Sequence, residues 1–60
     1  MHKLTYFITE ENESYEMEFI TDRTAKWTEQ QYMRHRNCTM ECIGIEDTDE
    51  TEPTSRKIKL

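Results

Sequence analysis

Residues 14–21 place an apolar or β-branched side chain at every second position. Tyr15, Met17, Phe19 and Thr21 form one face, and Glu16 and Glu18 stand on the other. This period of two is the signature of a half-buried antiparallel strand. Such a strand needs a partner beside it and a cover over its apolar face. Residues 4–9 supply the partner, with Leu4, Tyr6 and Ile8 on one side and Thr5, Phe7 and Thr9 on the other. Glu10-Glu11-Asn12-Glu13 lies between the two segments as a polar stretch of hairpin length.

The cover is predicted over residues 22–36, which are rich in Gln, Arg, Lys, Met and Ala and favour a helix. Two starts are compatible with the residues. Thr21 or Asp22 caps a helix from Arg23, or Thr28-Glu29-Gln30-Gln31 forms a capping box with Trp27 and Tyr32 as a hydrophobic staple. Either helix turns Tyr32, Met33 and Trp27 toward the sheet, and Asn37 is the expected C-terminal cap. Residues 38–45 read as a third strand, with Cys38, Met40 and Cys42 on one face and Thr39, Glu41, Ile43 and Ile45 on the other. The predicted fold is α+β: a three-stranded antiparallel sheet with one helix across it, in the order β-β-α-β. Residues 1–45 make the single domain. Residues 46–60 are read as a flexible tail, acidic and then basic, in which Lys57-Ile58-Lys59-Leu60 either docks as an edge strand or stays free. Phe7, Ile20, Ile43 and Ile45 are expected on the uncovered sheet face, where a homodimer could form.

Sixty residues, 33% of them apolar, leave little core with which to wall in a pocket. The expectation is a protein that is not an enzyme and holds no cofactor. His35, Cys38 and Cys42 read H-x2-C-x3-C, with His2 as a conceivable fourth metal ligand. Structural zinc sites favour tighter paired spacings, so free half-buried thiols are expected instead. On one strand the two cysteines would stand about 13 Å apart, beyond the ~7 Å reach of a disulfide. Glu16 and Glu18 resemble a glycosidase pair only in composition, because no cleft surrounds them. No run approaches a membrane span or a signal peptide, so a cytoplasmic chain that begins at its natural start is expected.

Charge is distributed in blocks. Residues 1–22 sum to -5, residues 23–37 to +3, residues 38–52 to -6 and the remainder to +3. An acidic surface disfavours direct contact with nucleic acid or anionic membrane and favours a basic partner. Glu10, Glu11, Glu13, Glu16 and Glu18 fall within nine residues, followed by Asp22. Glu16 and Glu18 would stand about 6.6–7 Å apart along a strand, comparable to the phosphate spacing of one DNA strand. A carboxylate row of that kind can occupy a groove built for phosphates. Glu46, Asp47, Asp49 and Glu50 add a second acidic arm that would speed encounter with a basic protein. Trp27 is read as a core residue; exposed, it would be the prime interface anchor.

The hairpin Ser14-Tyr15-Glu16-Met17-Glu18-Phe19-Ile20-Thr21-Asp22, with the helical Gln31-Tyr32, resembles the podophage inhibitors of bacterial RNA polymerase over about residues 4–45. That resemblance implies an acidic face placed in a DNA-entry channel. Arginines on that family's last strand are replaced here by Met40, Glu41, Cys42 and Ile43. Asn12-Glu13-Ser14 and Trp27-x-x-x-Gln31-Tyr32 are similar to the T-even phage antitoxins that neutralise host RNase toxins. Phage inhibitors of uracil-DNA glycosylase are similar in size, acidity and element order, and anti-CRISPR proteins in size and acidity. Together these imply a phage protein that occludes a host nucleic-acid-handling protein. An antitoxin-like partner of an RNase toxin and a small homodimeric structural or regulatory domain are the alternatives.

Overall fold

The computed structural model describes residues 1–59. β1 (His2–Glu10) and β2 (Ser14–Thr21) form the expected hairpin, α1 spans Ala25–His35, β3 spans Cys38–Asp47 and β4 spans Thr54–Lys59. The sheet has four strands in the order β3-β1-β2-β4, every neighbouring pair antiparallel. β2 and β3 therefore run in the same direction with β1 between them, and α1 is the crossover that joins them.

The fourth strand corrects the three-stranded expectation. Residues 54–59 lie along the outer edge of β2: of the two alternatives for Lys57-Ile58-Lys59-Leu60 the edge strand forms, and it starts earlier, at Thr54, while Leu60 lies outside the described residues. Little apolar periodicity marks this strand. Charge contributes to its docking instead: Arg56 Nε lies 2.9 Å from Glu18 Oε1, and Lys57 Nζ lies 4.3 Å from the Tyr15 ring centre and 3.9 Å from Glu13. β3 also runs two residues beyond its expected end, to Asp47. Residues 48–53 then cross the end of the sheet from one edge to the other.

Leu4, Tyr6, Ile8 and Tyr15 form the buried cluster beneath α1, with Met17, Phe19, Ala25, Tyr32, Cys38, Met40 and Cys42 packed around it. Tyr6, Phe19 and Tyr32 stack edge to face, with ring centres 5.8 and 5.6 Å apart. This geometry aligns the positive ring edge with the negative ring face. The buried tyrosine hydroxyls keep polar partners, as burial requires. Tyr6 donates to Glu29 Oε2 at 2.8 Å, with the Ala25 carbonyl 3.1 Å away. Burial first, and Glu29 second, push the Tyr6 hydroxyl well above the usual tyrosine range.

The helix starts at neither expected cap. The Thr24 side chain accepts from Trp27 N–H at 3.1 Å, and Thr28 N–H bonds to the Thr24 carbonyl. Thr28 is the buried residue of the first turns rather than their cap, and Arg36, not Asn37, is the C-cap. Tyr32 packs on the sheet as expected. Trp27 and Met33 are only partly covered: they remain 41% and 38% exposed.

The apolar patch expected on the uncovered face is broken up. Ile20 is 1% exposed, in register between Lys3 of β1 and Thr54 of β4. In β3, Cys42 lies opposite Tyr6 and Gly44 opposite Thr5, so Ile43 is an extra residue. This bulge carries Ile45 to a position opposite Leu4, onto the face that bears the helix, because cross-strand partners share a face. Phe7 and Ile43 remain 40% and 49% exposed.

Candidate functional site

The acidic residues singled out by sequence fall into three places. At the hairpin end, Glu10 is committed to the fold. Its Oε2 accepts from Arg36 Nε at 2.7 Å and from the Tyr15 hydroxyl at 3.0 Å. Tyr15 has one proton to give, so the Tyr32 hydroxyl, 2.7 Å away, donates to Tyr15. Arg36 is the largest influence holding the Glu10 carboxyl below the usual carboxylate range, and burial partly opposes it. Glu10 N–H also closes the turn onto the Glu13 carbonyl at 2.8 Å. Glu13 faces Lys57 at 3.9 Å, and Glu11 is exposed at the tip. The tip and the end of α1, His35-Arg36-Asn37, line a shallow polar groove.

On the uncovered face, Glu16 and Glu18 project side by side from β2 as the alternation predicts. Their described partners differ. Glu18 is held between Lys3 at 3.6 Å and Arg56 at 2.9 Å, and its side chain is 16% exposed. Glu16 makes no ion pair among the described side chains. Phe7 lies between Glu16 on one side and Glu41 on the other. Glu41 was not singled out as a site residue from sequence. Its place beside Phe7 depends on the β1–β3 register, which no local pattern reveals.

The third group closes the opposite end of the sheet. Thr21 and Asp47 flank His2 in register, so Asp22 belongs with Glu46, Asp47, Asp49 and Glu50 rather than with the hairpin tip. The length of β2, about 3.3 Å per residue, separates Asp22 from Glu10, Glu11 and Glu13. Asp22 meets Arg23 at 3.9 Å and Glu46 meets Lys3 at 3.9 Å. Asp47, Asp49, Glu50 and Glu52 have no cation within 4 Å among the described residues. Thr48 N–H bonds to the Met1 carbonyl at 3.1 Å and Glu50 N–H to Thr48 Oγ1 at 3.3 Å, which ties this acidic connection to the sheet end. Nearby, Trp27 stands under the Arg23 guanidinium, 4.9 Å from the ring centre. It borders a shallow groove shared with Phe19, Ile20 and Pro53.

Cys38 and Cys42 are free, half-buried thiols on the face that bears the helix. Burial, with Glu10 second, pushes the Cys38 thiol up. No cluster of three metal-ligating side chains forms among the described residues. No described helix is long and apolar enough to cross a membrane.

The molecule thus belongs to the class of small α+β domains in which one helix packs on an antiparallel sheet, here with an acidic end and a mixed-charge open face. No family model matches the chain, and comparison with curated proteins and with solved structures gives no significant match.

Proposed function

We propose that this chain is a non-catalytic, phage-type inhibitor that works in the host bacterial cytoplasm. It occludes a basic host protein that handles nucleic acid, and it contacts neither nucleic acid nor membrane itself. The observation that carries this reading is the uneven neutralisation of its carboxylates. Lys3, Arg36, Arg56 and Lys57 are drawn to Glu10, Glu13, Glu18 and Glu46. Asp47, Asp49, Glu50 and Glu52 are left without cations among the described residues. Uncompensated charge concentrated at one end attracts a basic groove and speeds docking. Glu16 and Glu41 extend the same sign onto the open face beside Phe7, which offers an aromatic contact. Glu10 and Glu18 serve the fold rather than the partner.

The test is capture from nuclease-treated bacterial lysate with the native chain and with an Asp49→Lys/Glu50→Lys/Glu52→Lys variant. The expected catch is a nucleic-acid-binding protein that the variant loses and that added duplex DNA displaces. Equal capture by the variant, undisturbed by DNA, would overturn the reading. One observation favours the antitoxin-like alternative: Trp27 is exposed beside an apolar groove. In that case a Trp27→Ala variant loses the partner, and rising salt leaves the complex intact.

A further inference from the structure

The two edges of the sheet are guarded very differently. β4 is six residues long, follows Pro53 and carries Arg56 and Lys57. Short length, proline and cations are the ordinary means of keeping an edge from pairing with another chain. β3 is ten residues long and contains no proline, lysine or arginine. It pairs with β1 on its inner side only, among the described residues. Its outer side therefore presents a row of backbone N–H and C=O groups to water. Ile43 and Ile45 on this strand are 49% and 64% exposed, and they are the two most exposed large apolar side chains among the described residues.

We propose that the outer edge of β3 receives an extended cationic segment of the partner as a fifth strand. This rests on the acidic-surface reading above and names how that surface is engaged. The charge of β3 selects the occupant. Glu41, Glu46 and Asp47 are all of one sign, Glu46 shares only Lys3 at 3.9 Å, and Glu41 and Asp47 have no described cation. A second copy of β3 paired with Glu41 opposite Glu46 would set carboxylates against carboxylates, which destabilises a strand pair. A strand bearing lysine or arginine meets the opposite situation. On β1 the residues opposite Glu41 and Glu46 are Phe7 and Lys3, four apart on one face because of the bulge. An added strand that follows the same bulge thus places two cations four residues apart. An apolar side chain on its other face reaches Ile45. Main-chain hydrogen bonds supply affinity, and these alternating contacts supply specificity.

The test uses the full chain, labelled for amide NMR, and three synthetic ten-residue peptides: alternating Lys–Val, alternating Lys–Pro and alternating Glu–Val. Lys–Pro keeps the charge but is a poor strand, because every second residue lacks an N–H and is fixed at a φ of about −65°, away from the strand value. Lys–Val is expected to shift the signals of residues 38–47 and slow exchange of the outward amides of β3. Lys–Pro is expected to bind at least about tenfold more weakly, and Glu–Val not to bind. A Glu41→Lys/Glu46→Lys variant with a native-like spectrum should exchange these preferences, binding Glu–Val and rejecting Lys–Val. Equal binding of Lys–Val and Lys–Pro, or shifts confined to residues 47–52, would overturn strand addition and leave the acidic-surface reading standing. Failure of both cationic peptides to bind at low salt would overturn both.

Discussion

Arg36 donates its Nε–H to Glu10 Oε2 at 2.7 Å and so joins the end of α1 to the end of β1 across 26 residues of chain. The same oxygen accepts from Tyr15, whose hydroxyl is bound in turn by Tyr32. One carboxylate therefore holds the hairpin, the helix terminus and two core tyrosines in register.

This arrangement sets a pH dependence. The Glu10 carboxyl is held, chiefly by Arg36, below its ordinary value, which is about 4.3 in an unfolded chain. A folded value below the unfolded one means that the stabilisation is fully present above the unfolded value. It is lost as pH falls through the depressed folded value. Glu10→Gln should lower stability at neutral pH and flatten the acid limb of the stability curve. Urea melts stepped from neutral pH into the acid range measure this. An acid limb unchanged in the variant would remove Glu10 from that role.

Docking of β4 depends on charge opposite charge. Arg56 meets Glu18, and Lys57 lies over Tyr15 beside Glu13. Exposed ion pairs contribute about 0.2–1 kcal/mol each and exposed cation–π contacts about 0.5–1. Arg56→Glu/Lys57→Glu should therefore cost about 1–2 kcal/mol and act locally. In hydrogen exchange, β4 and the outward amides of β2 should lose protection while the centre of β1 keeps it. Full protection of the outward amides of β2 in this variant would show that β4 docks without these charges.

Much of the fold was legible in the residues. Alternation in residues 4–8 and 15–19 gave both central strands and the correct inward set of Leu4, Tyr6, Ile8, Tyr15, Met17 and Phe19. β4 was harder to see, because its docking shows in opposite charges across 38 residues of separation rather than in a local period. Ile45 lies on the face opposite to the one its alternation implies, since a single extra residue at Ile43 inverts everything after it and leaves no mark in the alternation itself. The capping box at Thr28 was a good local motif overridden by Thr24, one turn earlier. Among the candidate site residues, the carboxylates are legible in the sequence but their states are not: which are bridged depends on strand register and on the C-terminal cations.

Gly44 gives a third prediction. It is the chain's only glycine and sits at the bulge, where a backbone need for glycine would be assumed. Its φ is not positive, and a Cβ there would stand 3.7 Å from Thr5 Cβ, an ordinary contact. Gly44→Ala should then stabilise the fold by about 0.4–1 kcal/mol, mainly by restricting the unfolded chain. A loss of stability in thermal or urea melts would mean that the bulge uses a conformation only glycine tolerates.

Trp27 separates stability from binding. A packed aromatic costs about 3–5 kcal/mol when cut to alanine. Trp27 is 41% exposed and its ring lies under the Arg23 guanidinium, so Trp27→Ala should cost less than about 1 kcal/mol. Leu4→Ala, at 1% exposure inside the cluster, should cost about 2–5 kcal/mol in the same melts. The indole should emit at the wavelength of a solvated tryptophan and be quenched readily by iodide. If partner capture falls in Trp27→Ala while the melt is unchanged, the residue contributes affinity through its exposed face. A melt as damaged as that of Leu4→Ala would instead place the indole in the core and remove it from the interface.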